Sequence, residues 1–187
     1  MNTFMNWLAD SFVPKSNKIL SKPWISALGS TMQKVIPFIL TGSVIFLYNV
    51  LVSFFPSLPD LGPISDFSFG IISLIVAFTI ANQCMEKLGH PSYMINAGIA
   101  SIGVFLMVAI PIGEDADSIS ALMNHVSASG IAVAMITGLF TSIIFHLWAK
   151  LQFLKDSSIP DFVSTWINTV VPNLISLGVI MIMVKLM

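Results

Sequence analysis

The stretch IAVAMITGLFTSIIFHLWA, residues 131–149, decides the fold. It holds no Asp, Glu, Lys, Arg or Pro. As a helix rising about 1.5 Å per residue it reaches about 28 Å, close to the thickness of a bilayer's hydrocarbon. Charge-free stretches recur at 35–59, 67–85, 88–113, 118–149 and 162–184, each long enough for one crossing. We read five spans, at 28–55, 67–85, 93–112, 129–149 and 163–186. Pro56 and Pro59 stop the first span. Pro37, inside its first half, lacks the N–H that a helix needs and predicts a kink. Pro91 suits the first turn of the third span, where a missing N–H costs nothing. The fifth span carries an internal Pro172-Asn173.

Composition agrees with this reading. Of the 187 residues, 56% are hydrophobic and 9% charged, against about 45–50% and about 25% in soluble domains. The mean hydropathy is +0.91. An ordinary soluble domain is excluded, and so is a disordered chain, which needs low hydrophobicity and high net charge. The net charge is -1 and the eight basic residues are all lysine, so the basic footprint of a nucleic-acid binder is missing. The lone Cys84 rules out an internal disulfide and a zinc site of several thiolates. The class is an all-α integral membrane protein.

Residues 1–26 do not read as a secretory signal, because Lys15, Lys18 and Lys22 follow the first apolar positions. Phe4, Met5, Leu8 and Phe12 recur at helical spacing, with Asn2, Asn6 and Asp10 elsewhere, as in a short amphipathic helix lying on a membrane surface; a frayed tail is the alternative. Lysine placement sets the orientation. With the N-terminus in the cytoplasm, the inner segments hold Lys15, Lys18, Lys22, Lys87, Lys150 and Lys155. The outer loops hold Asp60, Asp66, Glu114, Asp115 and Asp117 but no lysine. The positive-inside rule then gives N-terminus in and, after five spans, C-terminus out. Lys34 and Lys185 sit near span ends and snorkel to the interfaces.

Ionisable residues deep in a membrane are functional by default, and this chain has almost none. His146 reads as interfacial, four residues from Lys150. His90, His125 and His146 read as far apart, without metal-ligand spacing. Glu114, Asp115 and Asp117 lack the glycine turn and closing glutamate of a calcium loop and read as a solvated loop. Cys84 reads as a small buried hydrophobe. Neither metal nor cofactor is expected, and no catalytic residue is assigned. The informative polar residues are the intramembrane amides Asn49, Asn82, Gln83, Asn168 and Asn173, which can hydrogen-bond across helices. Gly130, Ala134, Gly138 and Ser142 form a small-residue stripe at successive i+4 positions, permitting close helix approach. Two readings of that stripe stay open, contact within one subunit or a subunit interface.

Several stretches carry a family resemblance. They are Asn6-Trp7-Leu8 with Phe12-Val13-Pro14-Lys15 and Asn17-Lys18-Ile19, then Pro23-Trp24-Ile25 and Pro37-Phe38-Ile39-Leu40-Thr41-Gly42-Ser43. Phe55-Pro56-Ser57-Leu58-Pro59 and Ile64-Ser65-Asp66-Phe67-Ser68-Phe69-Gly70 follow, then Pro160-Asp161-Phe162-Val163 with Trp166, Asn168 and Val171-Pro172. In order and spacing the chain resembles the first half of the sugar-transporting membrane component, enzyme IIC, of the bacterial phosphotransferase system, of the lactose/cellobiose/diacetylchitobiose type. The resemblance implies a bacterial plasma-membrane protein. Residues 1–26 would form a cytoplasmic amphipathic segment, and residues 27–187 a five-helix scaffold that carries much of a homodimer contact. The family's sugar site lies in a second half with no counterpart here, so no site residue transfers to this sequence. The implied partners are the bilayer, a second copy, a chain supplying the second half, and the soluble phosphotransferase components. Three functions follow: a scaffold half that does not transport sugar alone, a free-standing membrane binding or regulatory module derived from that scaffold, and a small oligomeric transporter or channel. The scarcity of intramembrane charge puts the third last.

Overall fold

The computed structural model describes residue 7 and residues 12–55, 57–110, 124–151 and 160–186. Among them all regular structure is helical. In chain order the helices are α1 (Val13–Leu20), α2 (Pro23–Val52), α3 (Gly62–Ser68), α4 (Ile72–Lys87), α5 (Met94–Ala109), α6 (Ile131–Leu151) and α7 (Asp161–Leu186). Single 3-10 turns at Phe69–Ile71, Pro91–Tyr93 and Ala128–Gly130 lead into α4, α5 and α6. Proline stands in the first turn of α1, α2, α3 and the turn before α5, where its fixed φ favours the helix and no hydrogen bond is lost.

Five segments are long and apolar enough to cross a membrane: Pro23–Val52, Gly62–Lys87, Pro91–Ala109, Ala128–Leu151 and Val163–Leu186. They coincide with the five spans read from the sequence, with shifted ends. The first begins at Pro23, so its opening turn takes residues that the sequence reading gave to the amphipathic segment. The second begins at Gly62, because α3 and the 3-10 turn precede α4. Helix α2 runs on through Pro37, and the Thr41 hydroxyl donates to the Pro37 carbonyl at 3.0 Å. In α7 the buried Ser176 hydroxyl does the same for Pro172, at 2.7 Å.

Helix α4 is the centre of the bundle. It packs on α2, α5 and α6, while α7 rests on α5 and α6. Nine of the sixteen residues of α4 are buried, against four of the thirty in α2. One core cluster joins Ala27, Ile80, Ala81, Cys84, Met85, Ala97, Ala100 and Phe145. A second joins Val35, Ile72, Val76, Ala77, Phe105, Ala109, Val126 and Ala134. Alanine is frequent in both because lipid is as apolar as a helix neighbour, so association in a bilayer depends on close backbone approach. The outer face of α2, with Leu40, Val44, Phe46 and Leu47, is exposed from the bundle, as are Leu174 and Ile182 on α7. Phe4, Met5 and Leu8, on which the surface-helix reading of the first residues rests, lie outside the described residues, and so does Lys155.

Candidate functional site

The small-residue stripe faces inward. Gly130, Ala134, Gly138 and Ser142 are all buried. A methyl on Gly138 would meet Ile80 Cγ2 and come within 3.2 Å of the Ala77 carbonyl oxygen, both on α4. A methyl on Gly130 would meet the His125 carbonyl oxygen and lie 3.0 Å from Ser73 Oγ. The Ser73 hydroxyl donates to the Ser127 carbonyl, tying the start of α4 to the turn that opens α6. The Ser142 hydroxyl donates to the Gly138 carbonyl at 2.7 Å, satisfying itself within the helix. Only residues without a bulky Cβ substituent admit this α4–α6 approach.

The intramembrane amides divide. Asn49 accepts a hydrogen bond from the Leu61 N–H at 3.2 Å and pins the link between α2 and α3. Gln83 is buried, and its amide donates to Glu86 Oε2 at 2.7 Å and to Asn82 Oδ1 at 3.3 Å. The same Glu86 oxygen stands 3.7 Å from Lys34 Nζ. Asn168 is half-buried on α7. Asn173 Oδ1 is buried without a hydrogen-bond partner. Its residue lines a cleft of about 130 Å³ between α5 and α7, with Asn96, Ile99, Thr169 and Val170. A second cleft, of about 230 Å³, is lined by Gly42, Ser43, Phe46, Ser65 and Phe69.

The histidines require a correction. The sequence reading set all three apart, but His90 Nε2 lies 3.0 Å from His146 Nδ1. The Trp24 ring meets His146 edge-on, with centroids 6.0 Å apart. Gly89, at φ +78°, lets the chain turn back after α4 and deliver His90 to α6. Burial, and then the positive charge of Lys150, hold the His90 imidazole below its usual pKa. Alternation of spans supplied the signal that was missed: the α4–α5 turn and the end of α6 fall on one side of the membrane. His125 is exposed. Glu114, Asp115 and Asp117 lie outside the described residues. Among the described residues, no group of three or more His, Cys, Asp or Glu could hold a metal ion. Cys84 is fully buried.

Comparison with known proteins fits this bundle. No protein-family model matches the chain. A protein named as permease IIC component YwbA, from Bacillus subtilis (strain 168), is 25% identical over 197 residues, covering 94% of this chain and 44% of that one. The crystal structure of the transporter ChbC, the IIC component of the N,N'-diacetylchitobiose-specific phosphotransferase system, superposes with a TM-score of 0.74 at 22% identity. That match covers 95% of this chain and 46% of ChbC. The chain carries about half of the IIC transporter fold. Both comparisons bear out the resemblance read from the sequence, and the chain is a multi-pass membrane protein of the kind found in the bacterial plasma membrane. It spans about half the length of the relatives it matches.

Proposed function

We propose that this chain is the scaffold half of a sugar-specific phosphotransferase permease, taking part in carbohydrate transport across the plasma membrane and not transporting sugar alone. The observation that carries the reading is the correspondence of 95% of this chain with 46% of a IIC transporter structure. The exposed apolar faces of α2 and α7 are surfaces on which a second copy and a second-half chain fit. With the N-terminus in the cytoplasm, the soluble phosphotransferase components meet the lysine-bearing end.

The test is phosphorylation-coupled sugar uptake in cells that lack the native system but hold the soluble components. This chain is expressed alone and together with the remaining half of a IIC relative. Uptake only with the second half supports the scaffold reading. Uptake by the chain alone refutes it. Silence in both, with the chain folded in the membrane, also refutes it and favours a free-standing module.

A further inference from the structure

Six lysines gather at one end of the bundle. Lys15 and Lys18 lie on α1, Lys22 stands just before α2 and Lys34 further along it; Lys87 and Lys150 close α4 and α6. The Trp24–His146, His90–His146 and Lys34–Glu86 contacts show that these helix ends meet. Acidic compensation is sparse. No Asp or Glu occurs between Asp10 and Asp60. Among the described residues the one ion pair is Lys34–Glu86, and Lys15, Lys18 and Lys22 pair with no described carboxylate.

Helix α1 has no core of its own. None of its residues is buried, and it touches the bundle chiefly through α2. Val13, Ile19 and Leu20 are 47–58% exposed, as is Phe12 beside them. Phe12 and Ile19, and Val13 and Leu20, are each seven residues apart and so share a flank. Lys15 and Lys18, three residues apart, share another, and Lys22 follows in the link to α2. Lys22 adopts an extended conformation (φ -62°, ψ 133°) that turns the chain straight into the membrane-crossing α2. An apolar flank and a cationic flank, on a helix fixed beside a crossing, make an interfacial anchor. Zwitterionic headgroups leave three cations uncompensated; anionic ones match them.

We propose that this end of the bundle, with α1 laid along it, binds anionic phospholipid headgroups. The ligand chemistry is a phosphodiester of net negative charge held in the lipid surface. The inference rests on the membrane placement alone and is independent of the transport reading.

The test uses the full chain in nanodiscs of mixed phosphatidylglycerol and phosphatidylcholine, with retained lipid counted by mass spectrometry of the intact complex. Each lysine near an anionic surface favours binding about fivefold, so three give a preference of about a hundredfold that salt weakens. The wild type is expected to retain phosphatidylglycerol over phosphatidylcholine. The triple variant K15Q/K18Q/K22Q is expected to lose most of that preference, and K15R/K18R/K22R to keep it. Protection of the buried Cys84 from maleimide confirms that each variant is folded. Equal retention of the two lipids by the wild type overturns the proposal. So does a glutamine variant with undiminished preference, or displacement of the lipid by inorganic phosphate, which would mark a soluble-anion site.

Discussion

Gly138→Ala tests the central packing. The added methyl meets Ile80 Cγ2 and comes within 3.2 Å of the Ala77 carbonyl and 3.3 Å of Ser101 Oγ. Ile80 is 0% exposed, and its β-branch holds χ1 stiff. The Ala77 oxygen belongs to the backbone of α4. Relief therefore requires α6 to move off α4. Overpacking of this kind costs about 1–3 kcal/mol. Alanine in place of glycine returns about 0.5–1 kcal/mol of helix stability. The expected net loss is about 1–2 kcal/mol. In an Ile80→Ala background the clashing methyl is gone, so the same change becomes neutral or stabilising by up to about 1 kcal/mol. The two sites are thus expected to couple by about 1–3 kcal/mol in a double-mutant cycle. Cys84 supplies the assay. It is the single cysteine of the chain and lies in the same core cluster as Ile80. Maleimide labelling across an SDS titration in mixed micelles would report unfolding of the wild type and the three variants. Equal costs of Gly138→Ala in both backgrounds would refute the packing of the stripe against α4. A stabilised single variant would do so too.

Gly130→Ala should cost at least as much as Gly138→Ala, because its methyl meets the backbone carbonyl of His125 instead of a side-chain methyl; the same titration ranks the two. Gln83→Leu removes its bonds to Glu86 and Asn82 on the same helix and is expected to lower stability by about 0.5–1.5 kcal/mol per bond lost at most, read as a shift in the SDS midpoint. The His90 pKa is depressed in the folded chain by burial and by Lys150. Neutral His90 therefore contributes stability that is fully present above about pH 6.5 and lost as pH falls through the lower folded value. The unfolding midpoint should drop on acidification from about pH 7.5 to about pH 5. Lys150→Gln should shrink that drop, and a drop unchanged in His90→Asn would assign it elsewhere.

Much of the fold is written in where charge is absent. The five spans follow from uncharged runs, because a bilayer tolerates few charges and forces each crossing to about 20 residues. Span ends are less legible. The second span reads as 67–85, yet α3 opens at Gly62 and lengthens that crossing. The pairing of helices was not legible, since a stripe of small residues permits close approach without naming the neighbour. Within the chain, Gly130 and Gly138 stand against Ser73 and Ile80 of α4. The His90–His146 contact escaped sequence reading because 56 residues separate the two. It needed both the alternation of spans and the reversal at Gly89. Gln83 and Asn173 look alike in sequence, but Gln83 is satisfied and Asn173 Oδ1 is not. The Gln83 amide N–H groups find acceptors within reach, whereas the Asn173 carbonyl oxygen finds no donor.

The central place of α4 has a consequence for biosynthesis. Its packing surface is completed by α6, whose last residue, Leu151, is translated 64 residues after Lys87. At about 5–20 residues per second the ribosome leaves α4 without that neighbour for about 3–13 seconds. During that interval Ser73, and the surface that will receive Gly130 and Gly138, have only lipid or the translocon to meet. A nascent chain stalled before α6 would present that unfilled seam to membrane proteases and insertion chaperones, and a helix hairpin of α5 and α6 supplied late would seat against it.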